Sequence, residues 1–230
     1  MPPTDIQEYA ITEDEDMIVA LLTILGSLIM LDKYAFGEFG ISQPLITGTI
    51  IGGICGDIYT GIYLGAMFQL IFLGGLPIGR DIPPDGQTAG IIGTGSYFLL
   101  RNLNADGHAL FVAVLIALLA AIIGGAFDVF ARRFNERLYH CYMQGTRSLY
   151  LCHLSGLATA FIRSLCLLLP VFVVMHSLMI PKVFPQLSRD LVLIGALSIG
   201  IAHALFLFIK KSKVVYVIIG GICGLVLLVF

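Results

Sequence analysis

The chain has 230 residues, of which 58% are hydrophobic and 12% charged, with a formal net charge of -2 and a mean hydropathy of +0.95. A soluble globular domain is about 45–50% apolar and about 25% charged, so the composition assigns an integral membrane protein whose solvent is a lipid bilayer, and the fold class expected for it is all-α. A near-neutral chain whose basic residues are confined to short stretches lacks the positive field that nucleic-acid binding requires, and excludes it.

Residues 1–16 hold six acidic side chains and no basic one. This is the opposite of the basic leader of a cleaved signal peptide, so the first apolar segment is expected to stay in the mature protein. Thr12 and Glu15 have the spacing of a capping box, and Glu13, Asp14 and Asp16 add negative charge where a helix dipole is positive. A helix is expected from about Glu13 to Leu31, preceded by an acidic tail over residues 1–12, within a single membrane domain spanning residues 1–230.

Apolar stretches follow at 41–55, 58–78, 88–100, 109–131, 151–175, 191–209 and 214–230. Crossing a hydrocarbon core of about 30 Å takes about 20 helical residues. Stretches 58–78, 109–131 and 151–175 meet that length, whereas 41–55 and 88–100 fall short. Short, glycine-broken apolar segments are expected to be re-entrant or discontinuous helices, because irregular backbone at membrane depth persists only where protein buries it or where it lines a wet cavity. The fold expected is a polytopic helical bundle containing such segments.

Glycines at 48, 52 and 56, at 61 and 65, and at 86 and 90 repeat at four-residue spacing, which lets helix backbones approach closely in lipid. Asp57, Gly61, Gly65 and Gln69 form a stripe on one helix face. Gln69, deep in its apolar segment, either bonds a neighbouring helix or offers its amide donors and acceptor to the hydroxyls of a polyol. The stretch LPIGRDIPPDGQ at 76–87 breaks the hydrophobic pattern with Pro77, Pro83 and Pro84 and introduces Arg80, Asp81 and Asp85. It reads as a polar turn facing a cavity. Asp85 either accepts charge-assisted bonds from two sugar hydroxyls, or pairs with Arg80 or caps the next helix. Asp32 and Asp57, each at the end of an apolar segment, are further candidates.

Arg163 lies near the centre of stretch 151–175, where a charge costs at least about 2.5 kcal/mol. It must face the interior, against a partner such as Asp128 or Asp57, or against substrate. His153 either titrates or bonds a carbonyl. Asp128 and Arg132 have the spacing of a helix-surface ion pair. Arg132, Arg133, Arg137 and Arg147 lie between two spans and Lys210, Lys211 and Lys213 two crossings later, which places both groups on the cytoplasmic side, with Lys182 and Arg189 facing outward. The five cysteines form no CxxC pair and no histidine has ligand spacing, so no disulfide, metal or cofactor is expected.

LD at 31–32, QPLITGTIIGGICGD at 43–57, TG at 60–61, GAMFQLIFLGGLPIG at 65–79 and PPD at 83–85 follow one another in an order and spacing that resembles the membrane subunit IIC of the mannose/fructose/sorbose family of the bacterial sugar phosphotransferase system. His153, Ser155 and Arg163 are similar to that family's helix after its cytoplasmic loop. The resemblance implies spanning and re-entrant helices in the bacterial inner membrane, a partner subunit IID, soluble phosphocarriers IIA and IIB, an oligomeric assembly and a sugar substrate. It also implies that the phosphoryl group never resides on this chain, so no catalytic residue is expected. Gln69, Asp85, Asp57, Asp32 and Arg163 are the candidate sugar-binding residues. The alternatives are a regulatory or assembly protein that keeps the fold without transport, and a transporter independent of phosphorylation.

Overall fold

The computed structural model describes residues 5–34, 37–74, 84–145 and 148–208. Among these there are seven helices and no strand: α1 (Asp5–Tyr34), α2 (Pro44–Ile54), α3 (Ile58–Ile71), α4 (Gly86–Leu100), α5 (Asp106–Met143), α6 (Leu149–Ser177) and α7 (Arg189–Phe208). At 1.5 Å per residue, α2, α3 and α4 reach about 17, 21 and 22 Å, too short for a bilayer core of about 30 Å. By contrast α5, with 38 residues, and α6, with 29, are long and apolar enough to cross.

Stretches 41–55 and 88–100 thus become the short helices α2 and α4, as their length predicts. Three boundaries differ from the sequence reading. Stretch 58–78 is not a simple span, since its helix stops at Ile71; a turn at 72–74 follows, with the Gly74–Gly75 pair and Pro77 next in sequence. α1 starts at Asp5 rather than near Glu13, so Thr12 and Glu15 lie within the helix. Acidic residues are tolerated throughout the first turns because they complement the positive dipole end. Arg132, Arg133 and Arg137 belong to α5 and not to a loop; charged residues are good helix formers, and the loss of apolarity marks the end of a lipid-facing stretch rather than the end of the helix. Residues 76–83 of the proline-rich turn, Arg147, and the lysines and final stretch after 208 lie outside the described residues.

α2 and α3 form an antiparallel hairpin sealed by glycine. Gly56, at φ +78°, makes the left-handed turn between them, and Asp57 then caps α3 by accepting the Thr60 amide at 3.0 Å. A β-carbon placed on Gly61 would lie 2.3 Å from the Gly48 carbonyl oxygen and 2.6 Å from the Gly52 α-carbon. Gly48 and Gly52 of α2 with Gly61 and Gly65 of α3 are therefore the contact surface of this hairpin, where backbone meets backbone.

α4 is the enclosed element, buried at every position from Thr88 to Leu100. Gly93 sits against Phe68 and Ala117, Gly95 against Phe172 and Gly90 against Pro44, so small residues on all sides admit α2, α3, α5 and α6. This enclosure is what allows a 15-residue helix to end at depth, since its terminal polar groups meet protein instead of lipid. α1 runs antiparallel to α6: Gly26 packs on Leu168, while Lys33 and Arg163 meet the same carboxylate.

Polar bonds tie the opposite end of α4 to its neighbours. Arg101 bonds Asp57 at 2.8 Å, and this guanidinium, with the Thr60 amide, holds the Asp57 carboxyl down at about 2. Arg189 at the head of α7 donates to Asp106 at 3.2 Å and to the Tyr97 hydroxyl at 2.9 Å, and Tyr97 in turn bonds Asp106. Asn104 secures the connection after α6 by donating to the Leu178 carbonyl at 2.9 Å and accepting the Ile180 amide at 2.6 Å.

Candidate functional site

The far end of α4 begins at a polar cavity. Asp85 is the N-cap of α4, and its carboxylate accepts the Thr88 amide at 3.2 Å and the Thr88 hydroxyl at 2.7 Å. Its own amide donates to the Ala121 carbonyl of α5 at 2.8 Å. Two cations converge on the same side chain: the Lys33 ammonium on Oδ1 at 2.9 Å and an Arg163 nitrogen on Oδ2 at 3.3 Å. Arg163 also donates to the Gly124 carbonyl at 2.6 Å. Gly124 permits this approach, because a β-carbon there would stand 3.0 Å from that of Asp85. Asp85 and Arg163 are 3% and 6% exposed, so the charges meet in a low-dielectric setting where their mutual attraction and the added hydrogen bonds must offset desolvation.

Asp85 opens onto a cavity of about 390 Å³, whose polar lining includes Lys33, Gln43, Gln69, Gln87 and Asp128. The volume lies within the ~300–1,000 Å³ typical of small-ligand pockets. Gln69 reaches it from α3 and donates to the Gln43 side chain at 2.6 Å, leaving a pair of carboxamides opposite the α4 N-terminus. The Lys33 ammonium and three amides supply mixed donors and acceptors of the kind a polyol needs, while the Asp85 carboxylate, its side chain 1% accessible, holds Lys33 at the cavity wall. Their positions derive from the two features seen in the sequence, a glycine-packed hairpin and a short helix starting at depth.

Gln69 and Asp85 therefore share one cavity. Arg163 supports it from behind through Asp85, in place of the Asp128 or Asp57 pairing considered from sequence. Asp32 and Asp57 lie elsewhere. Asp32, 5% exposed, accepts the amides of Phe39 at 2.9 Å and Ser42 at 3.1 Å and so holds the connection into α2. Asp57 caps α3 and pairs with Arg101 at the opposite end. Asp128 pairs with Arg132 at 3.0 Å, as their four-residue spacing indicates. Lys33, Gln43 and Gln87 line the cavity without belonging to the sequence candidates. For Lys33 a signal existed, since a carboxylate at depth requires a cation and Lys33 ends an apolar helix.

Three short helices, of which α4 is enclosed, beside a polar cavity in a bundle with membrane-length helices define a helical membrane protein with helices that stop short of a full crossing. The chain belongs to the family described as the PTS system sorbose-specific IIC component, whose pattern it matches over residues 17–229. It is 36% identical over 104 residues to the sorbose-specific EIIC component of Klebsiella pneumoniae, covering 45% of this chain and 36% of that one. It is 30% identical over 124 residues to the mannose-specific EIIC component of Escherichia coli K12, covering 54% and 41%, and 31% identical over 125 residues to the fructose permease IIC component of Bacillus subtilis 168, covering 54% and 41%. The matches thus span about two fifths of the length of these curated relatives. Among solved structures, one described as a membrane protein superposes with a TM-score of 0.67 at 20% identity, covering 90% of this chain and 86% of that one. The cryo-EM structure of the mannose transporter ManYZ with microcin E492 superposes with a TM-score of 0.55 at 20% identity, covering 91% and 86%. Both share the all-helical membrane fold.

Proposed function

We propose that this chain is the sugar-translocating IIC subunit of a mannose-family phosphotransferase system in the bacterial inner membrane, and that the cavity between α3, α4 and α5 holds the sugar. The observation that carries this reading is the convergence of Gln69 and Asp85, from two short helices, on one polar cavity. Gln69 and Gln43 supply amide contacts to the hydroxyls. Lys33, held by Asp85, supplies charge-assisted bonds, which are roughly twice as strong as neutral ones, and Asp85 joins it where a sugar hydroxyl displaces one of the four donors now on its carboxylate. Arg163 positions Asp85. Asp32 and Asp57 hold the connections at either end of the α2–α3 hairpin. The arginine-bearing end of α5 faces the cytoplasm, where soluble IIA and IIB would approach, and a IID subunit would cover apolar surface of the bundle. No phosphoryl group passes through a covalent bond to this chain, and IIB phosphorylates the sugar.

The test is uptake of labelled mannose, fructose and sorbose into vesicles holding this chain and IID, with and without phosphoenolpyruvate and the soluble phosphocarriers. Phosphorylated sugar accumulating only in the complete system is the expected result. Free sugar would identify a phosphorylation-independent transporter, and no uptake of any of the three would point to a regulatory or assembly role; either outcome would overturn the proposal.

A further inference from the structure

A second cavity, of about 300 Å³, opens between α5 and α6 toward the arginine-bearing end of the bundle. It is lined by Asn135 and Tyr139 of α5 and by His153, Gly156 and Thr159 of α6, and it ends on Arg163. Arg163 is the same residue that bonds Asp85 in the wall of the first cavity, and on α5 the adjacent residues Ala131 and Arg132 face the second and first cavities respectively. The two spaces are thus separated by one ion pair and one face of α5. Among the described lining residues, Arg163 carries the one permanent charge, and it is shared with Asp85. Amide, hydroxyl and imidazole groups beside aromatic rings suit a neutral polyhydroxylated ligand better than an anion, whose charge would call for a cation not already engaged.

We propose that this α5–α6 cleft is a second, inner station for the transported sugar, reached when the Asp85–Arg163 contact opens. The inference rests on the transport reading above and extends it: the sugar held against Gln69 and Asp85 passes the ion pair and is bound again by Asn135, His153 and Thr159 before it leaves. The volume meets the lower bound of small-ligand pockets, and the cleft continues the first cavity toward the proposed cytoplasmic side.

Gly156 provides the probe. A β-carbon there meets only the Asn135 side-chain oxygen, at 3.5 Å, which is ordinary contact, so cysteine fits and its thiol projects into the cleft. Cys55, Cys141, Cys152, Cys166 and Cys223 are first replaced, and Gly156→Cys is introduced into that background together with IID. A charged, membrane-impermeant methanethiosulfonate is then applied from the cytoplasmic face. Uptake of the hexose identified in the assay above should fall at least tenfold on complete modification, while the cysteine-free background is indifferent to the reagent. In detergent, where no uptake is needed, saturating sugar should slow modification of Cys at 156 severalfold. Full modification with undiminished uptake, or a modification rate that ignores sugar, would overturn the inner station. If the unaltered chain with its partners takes up none of the hexoses, the transport reading itself fails, and the station with it.

Discussion

Asp85→Asn is expected to be the most destabilising single change in the cavity, at about 3–5 kcal/mol, the range seen when one member of a buried charged pair is removed. Asparagine is as good an N-cap as aspartate and occupies nearly the same volume, so the cap of α4 is largely kept and the substitution isolates the charge. What it removes is the carboxylate on which Lys33 and Arg163 converge at 2.9 and 3.3 Å. Lys33 retains some exposure to the cavity, with 19% of its side chain accessible, but Arg163 has 4% and must keep its charge in the interior. The expected readout is a large drop in the thermal unfolding temperature of the detergent-solubilised protein and in its level in membranes. A second change tests the cause. In Asp85→Asn combined with Arg163→Met the buried guanidinium is gone, so the double variant should lose clearly less stability than the two single losses added together. Strict additivity would show that the two side chains do not act as a pair.

The second large effect is expected at the α2–α3 hairpin. Gly61→Ala places a methyl group 2.3 Å from the Gly48 carbonyl oxygen. The obstructing atoms are backbone, so no rotamer change relieves the clash and the two helices must separate. Overpacking of this kind typically costs about 1–3 kcal/mol, and here the separation carries Gln69 and Gln43 apart, since they sit on the two arms of the hairpin and bond each other at 2.6 Å. Sugar binding should weaken along with stability. Gly53→Ala is the matched control: it lies on the same helix α2, is exposed, and a β-carbon there meets nothing within 4 Å. That variant should be neutral or slightly stabilised, by roughly 0.4–1 kcal/mol through a restricted unfolded chain. Equal losses at positions 53 and 61 would mean that general loss of glycine flexibility, and not close backbone contact, is responsible.

Parts of this architecture are legible in the sequence because they are local. The lengths of stretches 41–55 and 88–100 identify helices too short to span, the four-residue glycine rows mark where helices touch, and the spacing of Asp128 and Arg132 identifies their pair. Pro77 follows the end of α3 at Ile71 within a few residues, so the break in the long apolar stretch 58–78 is also local. Other features depend on contacts that no periodicity encodes. Lys33 is 52 residues from Asp85 and Arg163 is 78 residues beyond it, and Asp57 finds Arg101 across 44 residues. Asp32 and Asp57 resemble Asp85 in sequence, each an acid at an apolar boundary. They separate only in three dimensions, where Asp32 gathers loop amides, Asp57 caps α3 at the opposite end, and Asp85 alone of the three lines the cavity shared with Gln69. Helix ends escape the hydrophobic pattern where good helix formers carry a helix beyond its apolar stretch, as at the start of α1 and the end of α5.

The central claim is that the cavity bounded by Gln69 and Asp85 binds sugar, and equilibrium binding to Gln69→Leu tests it most directly. Leucine fills similar space without donors or acceptors, and Gln69 is only partly buried, so the fold should be preserved, as judged by an unfolding temperature close to that of the unaltered chain. Affinity for the transported hexose should fall at least tenfold, about 1.4 kcal/mol, the contribution of roughly one hydrogen bond in a partly desolvated site. A folded Gln69→Leu protein that binds the sugar as tightly as the unaltered chain would contradict the assignment of this cavity as the sugar site.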